Sequence, residues 1–433
     1  MSELLVTGGQ VLRPDLTIDQ ADLLLDQHSG TIDAIDDPGA LSGDDELDAN
    51  DSLVIPGLVN PHTHVAMTLM RGLADDKPLD AWLQEDIWPV EAELRAEDVR
   101  AGADLGILEM VRAGTTCFSD MYFHVPEIAA AVEEFGVRAT LGHTAITVGK
   151  DDDAATADVQ QSLDVATELA GAADGRVRTS FQPHSLTTVG EEYFREFLPK
   201  ARDAGLRIHC HANETTDEVD PIVEERGKRP LEYADDLGLL GPETQLAHCV
   251  HVDETEIELL AETGTGVTHC PASNMKLASG MAPVQRLLDA GVDVGIATDG
   301  AASNNDLDQF AEMRDAAMLG KLAADDPAAM AAETIVDCAT ATGADVLGIE
   351  GGGRIQTGAP ADLALIDLDA PHLTPAHDLV SHLAYAVRGS DVKHTVCNGE
   401  VLMRDRDVLG VDERAVRDRA SKAAAGLVER AGE

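Results

Sequence analysis

The chain has few basic residues and no long apolar run, and each of these two shortages excludes a class of function. Its 433 residues include 31 Lys and Arg against 80 Asp and Glu, a formal charge of −49. Such a surface repels phosphates and anionic headgroups, so we expect neither nucleic acid nor membranes as partners. No run is apolar enough to span a bilayer, and the first residues lack the basic segment of a secretory signal. A cytoplasmic location is therefore expected.

Cysteine is also sparse, and its placement argues against disulfides and CxxC metal sites. None of the six cysteines forms a CxxC pair, and several lie within apolar, strand-like runs. In a large cytoplasmic protein this pattern indicates buried, reduced thiols. The six are Cys117, Cys210, Cys249, Cys270, Cys338 and Cys397.

The acidic residues are spread along the whole chain rather than gathered in a tail. Most of the few basic residues are Arg, and the pattern resembles that of cytoplasmic proteins from extreme halophiles. At about 1 M salt the Debye length is roughly 3 Å, so the self-repulsion of such a surface is screened. The composition therefore predicts a fold adapted to molar salt.

Both ends of the chain read as short strands and turns, whereas the middle alternates strands with helices. The segments 1–55 and 352–410 are rich in β patterns with Gly and Asn turns, which predicts one small β-sandwich domain built from both chain ends. Residues 411–433 read as a surface helix, and the acidic stretch 149–161 reads as an exposed loop.

Residues 56–351 contain eight strand candidates separated by amphipathic segments, many of which close with Gly. This alternation predicts an α/β fold, a (β/α)8 TIM barrel. A doubly wound sheet is the structural alternative, but no GxGxxG follows the first strand. The strand candidates begin with "SLVIPGLVNPHTH" and end with "VDVGIATDG".

Several of the strand candidates end in polar groups able to do chemistry. In a barrel the carboxyl ends of all strands meet at one mouth, so these groups should converge. His62 and His64 are two apart and therefore face the same side of their strand. The same rule leaves His209 and His211 both facing inward, and His211 lies nearer the strand end. The other groups are His184, Glu214, His248, His251 and Asp299.

Imidazole and carboxylate together suit a catalytic divalent metal with one open position. A single histidine here is more often a hydrogen-bonded core residue than a ligand. The combination at the ends of successive strands favours a metal site. The predicted ligand set is His62, His64, His211 and Asp299.

The order of five motifs resembles the amidohydrolase superfamily over almost the whole chain. The motifs are "PGLVNPHTH", "HCHANE", "AHCVH", "HCPASNMKL" and "GIATDGAASNN". Within that superfamily the chain is similar to the branch of methylthioadenosine and S-adenosylhomocysteine deaminases, with s-triazine hydrolases as relatives. The segments "MTLMRGLADDKPLDAWLQEDIWPVE" and "DMYFH" carry this narrower resemblance.

The resemblance implies a hydrolytic deaminase with one divalent metal per chain, zinc first, with iron or manganese as alternatives. His248 would hold the attacking water, Asp299 would take its proton, and Glu214 would protonate the purine ring. Glu91 would accept hydrogen bonds from the ribose hydroxyls. Trp82, His143 and His184 are further candidate substrate contacts. The expected substrates are adenosine-type nucleosides, and homo-oligomers are common among such barrels.

Some features depart from the branch pattern. Members that take S-adenosylhomocysteine often have an Arg after the third barrel strand, where this chain has His143. Recognition of the homocysteine carboxylate is therefore open, as is the choice among methylthioadenosine, 5'-deoxyadenosine and adenosine. The alternative activities are deamination or dechlorination of a free base or triazine, or a non-catalytic barrel. No lysine ends the fourth strand, so a carbamate-bridged two-metal centre is not expected.

Overall fold

The computed structural model describes residues 2–432, and the strands of this part of the chain form two β-sheets. Met1 and Glu433, the outermost residues of the predicted terminal segments, lie outside the described residues. The strands are β1 (Glu3–Leu12), β2 (Ile18–Asp26), β3 (Thr31–Asp36), β4 (Asp45–Asp48), β5 (Ser52–Pro56), β6 (Leu58–Thr63), β7 (Thr115–Tyr122), β8 (Arg138–Ala145), β9 (Val177–Pro183), β10 (Arg207–Ala212), β11 (Thr244–His248), β12 (Gly266–His269), β13 (Val294–Ile296), β14 (Leu363–Asp367), β15 (Val392–Cys397), β16 (Glu400–Arg404) and β17 (Asp407–Val408).

Helices connect and cover these strands. They are α1 (Leu79–Trp82), α2 (Trp88–Glu91), α3 (Ala96–Arg112), α4 (Val125–Phe135), α5 (Asp152–Glu168), α6 (Glu191–Asp203), α7 (Thr216–Arg226), α8 (Pro230–Asp236), α9 (Glu254–Thr263), α10 (Pro271–Lys276), α11 (Val284–Asp289), α12 (Gln309–Ala324), α13 (Ala332–Ala339), α14 (Ala341–Val346), α15 (Leu379–Tyr385) and α16 (Glu413–Ala431). A π-helical turn, Leu83–Ile87, joins α1 to α2. Within residues 2–432 no helix combines the length and the apolarity that a bilayer span needs.

The predicted barrel is confirmed. Strands β6 to β13 lie side by side in chain order, and each pairs in parallel with the next. Most of their residues are buried, as expected of parallel strands covered by helices outside and by packed side chains inside. All eight strand candidates contribute a strand to this sheet.

Side chains help to join the first barrel strand to the last. The amide of Asn60 donates to Thr298 Oγ1 at 2.8 Å and accepts from the Thr298 N–H at 3.0 Å. Gln309 donates to the carbonyls of Val59 and Ile296, one from each strand. These bonds bring the ends of β6 and β13, and therefore the site residues that follow them, to one place.

The second sheet combines both chain ends, as predicted. Its order is β17-β16-β15-β14-β5-β1-β2-β3, with β4 paired to β1. β14 runs antiparallel to β5, with Leu365 opposite Val54. The first strand candidate is therefore divided between two sheets, because Gly57 separates β5 from β6. A Cβ at Gly57 would lie 2.2 Å from Thr116 Oγ1, so a side chain there would clash with the neighbouring strand.

The prediction of an exposed loop at 149–161 is wrong, since most of that stretch forms the start of helix α5. Asp151 caps the helix, and its side chain accepts from the Ala154 N–H at 2.9 Å. The acidic residues occupy the first turn, where they interact favourably with the helix dipole. Ala155 and Val159, four residues apart, bury the inner face of the helix.

The C-terminal helix α16 packs on α3 and buries Val416, Ala420 and Leu427. Arg419 forms an ion pair with Asp104 at 3.0 Å across this contact. The remaining face of α16 is largely exposed, in agreement with the predicted surface helix.

Candidate active site

A buried cavity lies at the carboxyl ends of the barrel strands. Of the predicted site residues it is lined by His64, Trp82, Glu91, His184, His211, Glu214, His248 and Asp299. The wall also contains residues that sequence reasoning did not single out, including Tyr122, Glu218 and Ser303. The motifs of five separate strands therefore meet in one place, as the barrel geometry requires.

At the bottom of the cavity, histidine and carboxylate atoms form a compact cluster. His62 Nε2 and His64 Nε2 each lie 3.3 Å from Asp299 Oδ1. His62 also belongs to a second group with His211 and His248, and the candidate ligand atoms of each group lie within 4.8 Å of one another. The structure thus brings together the four predicted ligands.

Backbone carbonyls orient two of these imidazoles. His64 Nδ1 donates to the Met121 carbonyl at 2.6 Å, and His211 Nδ1 donates to the His184 carbonyl at 2.8 Å. We assign the Nδ1–H tautomer to both rings because a carbonyl oxygen can only accept. Each Nε2 lone pair is then available to a metal, an arrangement common among metal-binding histidines.

His62 is oriented by another histidine. Its Nδ1 lies 2.9 Å from His209 Nε2, and the two rings meet edge to face. Burial lowers the pKa of His209 well below its ordinary value, so the ring is neutral. If His62 Nε2 is to be free for a metal, His62 must carry its proton on Nδ1 and donate it to His209 Nε2. His62 Nε2 is buried and has no hydrogen-bond partner among residues 2–432. A buried, unpartnered imidazole nitrogen facing a carboxylate fits a metal ligand.

Two serines hydrogen-bond to one carboxylate oxygen of Asp299, and the other oxygen faces the histidine cluster. Ser273 Oγ and Ser303 Oγ each donate to Oδ2 at 2.7 Å, whereas Oδ1 faces His62 and His64. Burial opposes the charge on Asp299, but the neighbouring imidazoles of His62 and His64 hold its pKa well below the ordinary value. Asp299 is therefore a carboxylate, and the donor set of three imidazoles and one carboxylate oxygen suits a single divalent ion.

Glu214 and His248 stand beside this cluster on the cavity side. His248 Nε2 lies 3.6 Å from Glu214 Oε2, and His248 Nδ1 donates to Asn274 Oδ1 at 3.0 Å. Burial and the charge of Asp299 raise the pKa of Glu214 to about 8. Glu214 therefore carries a proton at neutral pH, as a general acid must.

A second carboxyl, Glu218, lies in the first turn of α7, four residues after Glu214. Its Oε2 accepts from the Glu214 N–H at 2.9 Å, and burial raises its pKa to about 7. In the sequence Glu218 looks like one of several ordinary acidic residues at the start of a helix. Its place in the cavity wall depends on the tertiary position of α7 after β10.

The segment from α1 to α2 forms another part of the wall. Trp82 is buried and donates through Nε1 to the Ala74 carbonyl at 3.2 Å. Burial raises the pKa of Glu91 to about 7. The nearby Tyr122 hydroxyl has a smaller, opposite effect, because a weak hydrogen-bonding contact with it favours the charged carboxylate. Neither Glu91 Oε1 nor Tyr122 Oη completes a hydrogen bond within residues 2–432.

His143 is not among the residues that line the cavity, and its contact with substrate stays a prediction. Its Nε2 lies 3.1 Å from Asp158 Oδ1, on helix α5. Successive side chains of β8 point to opposite faces, and it is Thr144 that lines the cavity. His184 does reach the cavity; its Nδ1 lies 2.9 Å from Thr188 Oγ1, and burial lowers its pKa to about 3.

Comparison with known proteins identifies the family to which the chain belongs. The Amidohydrolase family matches residues 53–402. A protein of the halophile Haloarcula marismortui named 5-methylthioadenosine/S-adenosylhomocysteine deaminase is 74% identical over 433 residues and covers 100% of both chains. A 5'-deoxyadenosine deaminase of Methanothermobacter thermautotrophicus is 43% identical over 424 residues, 98% of each chain.

Solved structures agree with this placement. An adenosine deaminase from Xanthomonas campestris with bound zinc has a TM-score of 0.93, 36% identity and 98% coverage of both chains. A triazine hydrolase from Arthrobacter aurescens has a TM-score of 0.89 at 23% identity, covering 98% of this chain and 100% of its own, and shows the shared fold. The family match, the identity to curated deaminases and the histidine cluster agree. The chain therefore belongs to the amidohydrolase family of metal-dependent hydrolases.

Proposed function

We propose that this protein hydrolytically deaminates adenosine-type nucleosides, releasing ammonia and the inosine analogue. The observation that carries the proposal is that Glu214, which lies beside the metal-ligand cluster, lines the same cavity as Glu91. The names of the relatives support the same substrate class.

The proposed ligands of one divalent metal are His62, His64, His211 and Asp299. A zinc ion is the first candidate, supported by the zinc in the Xanthomonas campestris structure, with iron or manganese as alternatives. A metal bound there supplies Lewis-acid activation of water, which makes a nucleophile available at neutral pH.

The protein's own residues would carry out the proton transfers. His248, held by Asn274, would orient the attacking water through Nε2. Asp299 would accept a proton from that water. Glu214 would donate its proton to the purine ring nitrogen beside C6, so that C6 accepts the nucleophile without a full negative charge forming on the ring. The amino group would then take up the proton held by Asp299 and leave as ammonia, while the hydroxyl on C6 returns its proton to Glu214 as the carbonyl forms.

The electrostatics of the cavity favour an uncharged 5' substituent. Among the lining residues there is no Lys or Arg, whereas Glu91, Glu214, Glu218 and Asp299 are all present. A homocysteine carboxylate in this cavity would lose its hydration without gaining a cationic partner. We therefore propose methylthioadenosine and 5'-deoxyadenosine as preferred substrates over S-adenosylhomocysteine.

A panel of nucleosides tests this proposal. Methylthioadenosine, 5'-deoxyadenosine, adenosine and S-adenosylhomocysteine are incubated with metal-loaded enzyme in molar KCl, and the ultraviolet shift of deamination is followed. We expect the highest kcat/KM for the two substrates with small uncharged 5' groups. A kcat/KM for S-adenosylhomocysteine equal to theirs would contradict the ranking, and no deamination of any of the four would contradict the function.

The assembly and location of the protein stay predictions. A homo-oligomer and a cytoplasmic location are proposed from the family resemblance and from the composition of the chain.

A further inference from the structure

Two buried polar atoms of the cavity wall, Tyr122 Oη and Glu91 Oε1, complete no hydrogen bond within residues 2–432, although their side chains are close enough for a weak mutual contact to affect the pKa of both. Only Glu91 has a predicted role. Tyr122 ends β7, its side chain is 2% exposed, and its hydroxyl makes no hydrogen bond within residues 2–432. Glu91 Oε1 is likewise buried without a partner. Both residues line the cavity, and the Tyr122 hydroxyl is close enough to affect the ionisation of Glu91.

A buried hydroxyl and a buried carboxylate oxygen without partners are costly unless a ligand satisfies them. Their chemistry is complementary, since a carboxylate only accepts hydrogen bonds whereas a phenol donates and accepts. A vicinal diol matches this pair, because one hydroxyl can donate to the carboxylate while the oxygen of the other accepts from the phenol.

We propose that Tyr122 is a specificity-determining residue that hydrogen-bonds one ribose hydroxyl of the nucleoside while Glu91 binds the other. This inference rests on the proposed nucleoside deaminase function. It explains why an aromatic residue that could pack equally well as Phe carries a hydroxyl at the wall of the cavity. The pair would also let the site discriminate between a ribonucleoside and a free base. A free base has no ribose hydroxyls and would leave both Tyr122 and Glu91 without hydrogen-bond partners.

The Tyr122 ring also lies near the metal-ligand cluster, 6.2 Å from the ring of His64. A role in supporting that histidine would affect every substrate alike. The proposed role affects only substrates that carry the hydroxyl it binds, and this difference makes the two roles separable.

The experiment compares Tyr122→Phe with wild type on adenosine, 2'-deoxyadenosine and 3'-deoxyadenosine. The matched control is Tyr193→Phe, which changes a buried tyrosine outside the cavity. Bound metal and Tm are measured for each protein, in molar KCl. We expect Tyr122→Phe to lower kcat/KM for adenosine by about three- to tenfold, the loss of one neutral hydrogen bond. One of the two deoxy substrates should be unaffected, and it identifies the hydroxyl that Tyr122 binds.

Equal losses on all three substrates, or no loss on any, would overturn the role of Tyr122 while leaving the deaminase function intact. A metal-loaded wild type that deaminates none of the three, and neither methylthioadenosine nor 5'-deoxyadenosine, would overturn the proposed function, and this inference with it. A loss confined to adenosine and one deoxy analogue, with unchanged metal content and an unaffected Tyr193→Phe control, supports the inference.

Discussion

His209 Nε2 lies 2.9 Å from His62 Nδ1, so one strand histidine fixes the orientation of another that we propose as a metal ligand. Residues that orient metal ligands in this way commonly contribute about ten- to a hundredfold to metal affinity. His209→Phe removes the acceptor and should weaken metal binding by about that factor. His209→Gln keeps an acceptor and should lose less.

Metal content after equilibration with a graded chelator series gives the affinity of each variant. His28→Gln, a change at an exposed histidine of the second sheet, is the control and should match wild type. A His209→Phe variant that retains wild-type affinity would show that the His62–His209 contact does not support the ligand.

Glu91 should make the stability of the fold depend on pH. Burial raises the pKa of its carboxyl from 4.5 to about 7, so the folded state holds this proton more tightly than the unfolded state. Ionising Glu91 therefore costs stability as the pH rises from about 4.5 to about 7, and the cost stays constant above that range. Glu91→Gln should raise the free energy of unfolding at pH 8 by about 2 kcal/mol and change it little at pH 4.5.

Denaturation at the two pH values, in constant molar KCl, measures this difference. Glu97→Gln, at the start of α3 and outside the cavity wall, is the control. An equal effect of Glu91→Gln at both pH values would mean that the carboxyl is not held in its neutral form.

His143 and Thr144 are neighbours on β8 that face opposite sides, and their variants should behave differently. His143→Phe breaks the contact with Asp158 and should lower stability by about 1 kcal/mol while leaving KM for every nucleoside unchanged. Thr144→Val changes the cavity wall and should alter KM instead. A selective rise in KM for S-adenosylhomocysteine in His143→Phe would support the substrate contact first expected for this residue.

The charge of −49 should make the fold depend on salt. Screening of self-repulsion weakens as the Debye length grows from roughly 3 Å at 1 M to roughly 30 Å at 0.01 M. We expect Tm to fall steadily on dialysis from molar to millimolar KCl. An unchanged Tm across that range would contradict the inferred adaptation to high salt.

Strand patterns and the two-residue side-chain period were enough to predict the barrel and the facing of His62 and His64. The side-chain period left both His209 and His211 facing inward, and the position of His211 nearer the strand end favoured it as the ligand. The contact of His209 with His62 could not be predicted from either. Sequence order alone could not show that Thr144, the neighbour of His143 on β8, is the residue that lines the cavity. The division of the chain at residues 55, 351 and 410 stays a proposal.

Most of the groups that sequence reasoning missed lie outside the barrel strands. Ser273 and Ser303 lie in recognised motifs, yet their bonds to Asp299 depend on how the segments after β12 and β13 turn. Asp299 itself has a φ of 59°, a left-handed conformation that no periodicity predicts. Glu218 lies in the first turn of α7. Tyr122 is the last residue of β7, but its place in the cavity wall depends on the packing of the α1–α2 segment against that strand.

The central claim is that Glu214 is the proton donor of a metal-dependent deamination. The most direct measurement is single-turnover conversion of methylthioadenosine by metal-loaded wild type and Glu214→Gln in molar KCl, with ammonia and metal content determined in parallel. We predict one ammonia per inosine analogue for wild type and a rate lower by about 10² to 10⁴ for the variant at equal metal content. A Glu214→Gln protein that turns over at the wild-type rate would contradict the account.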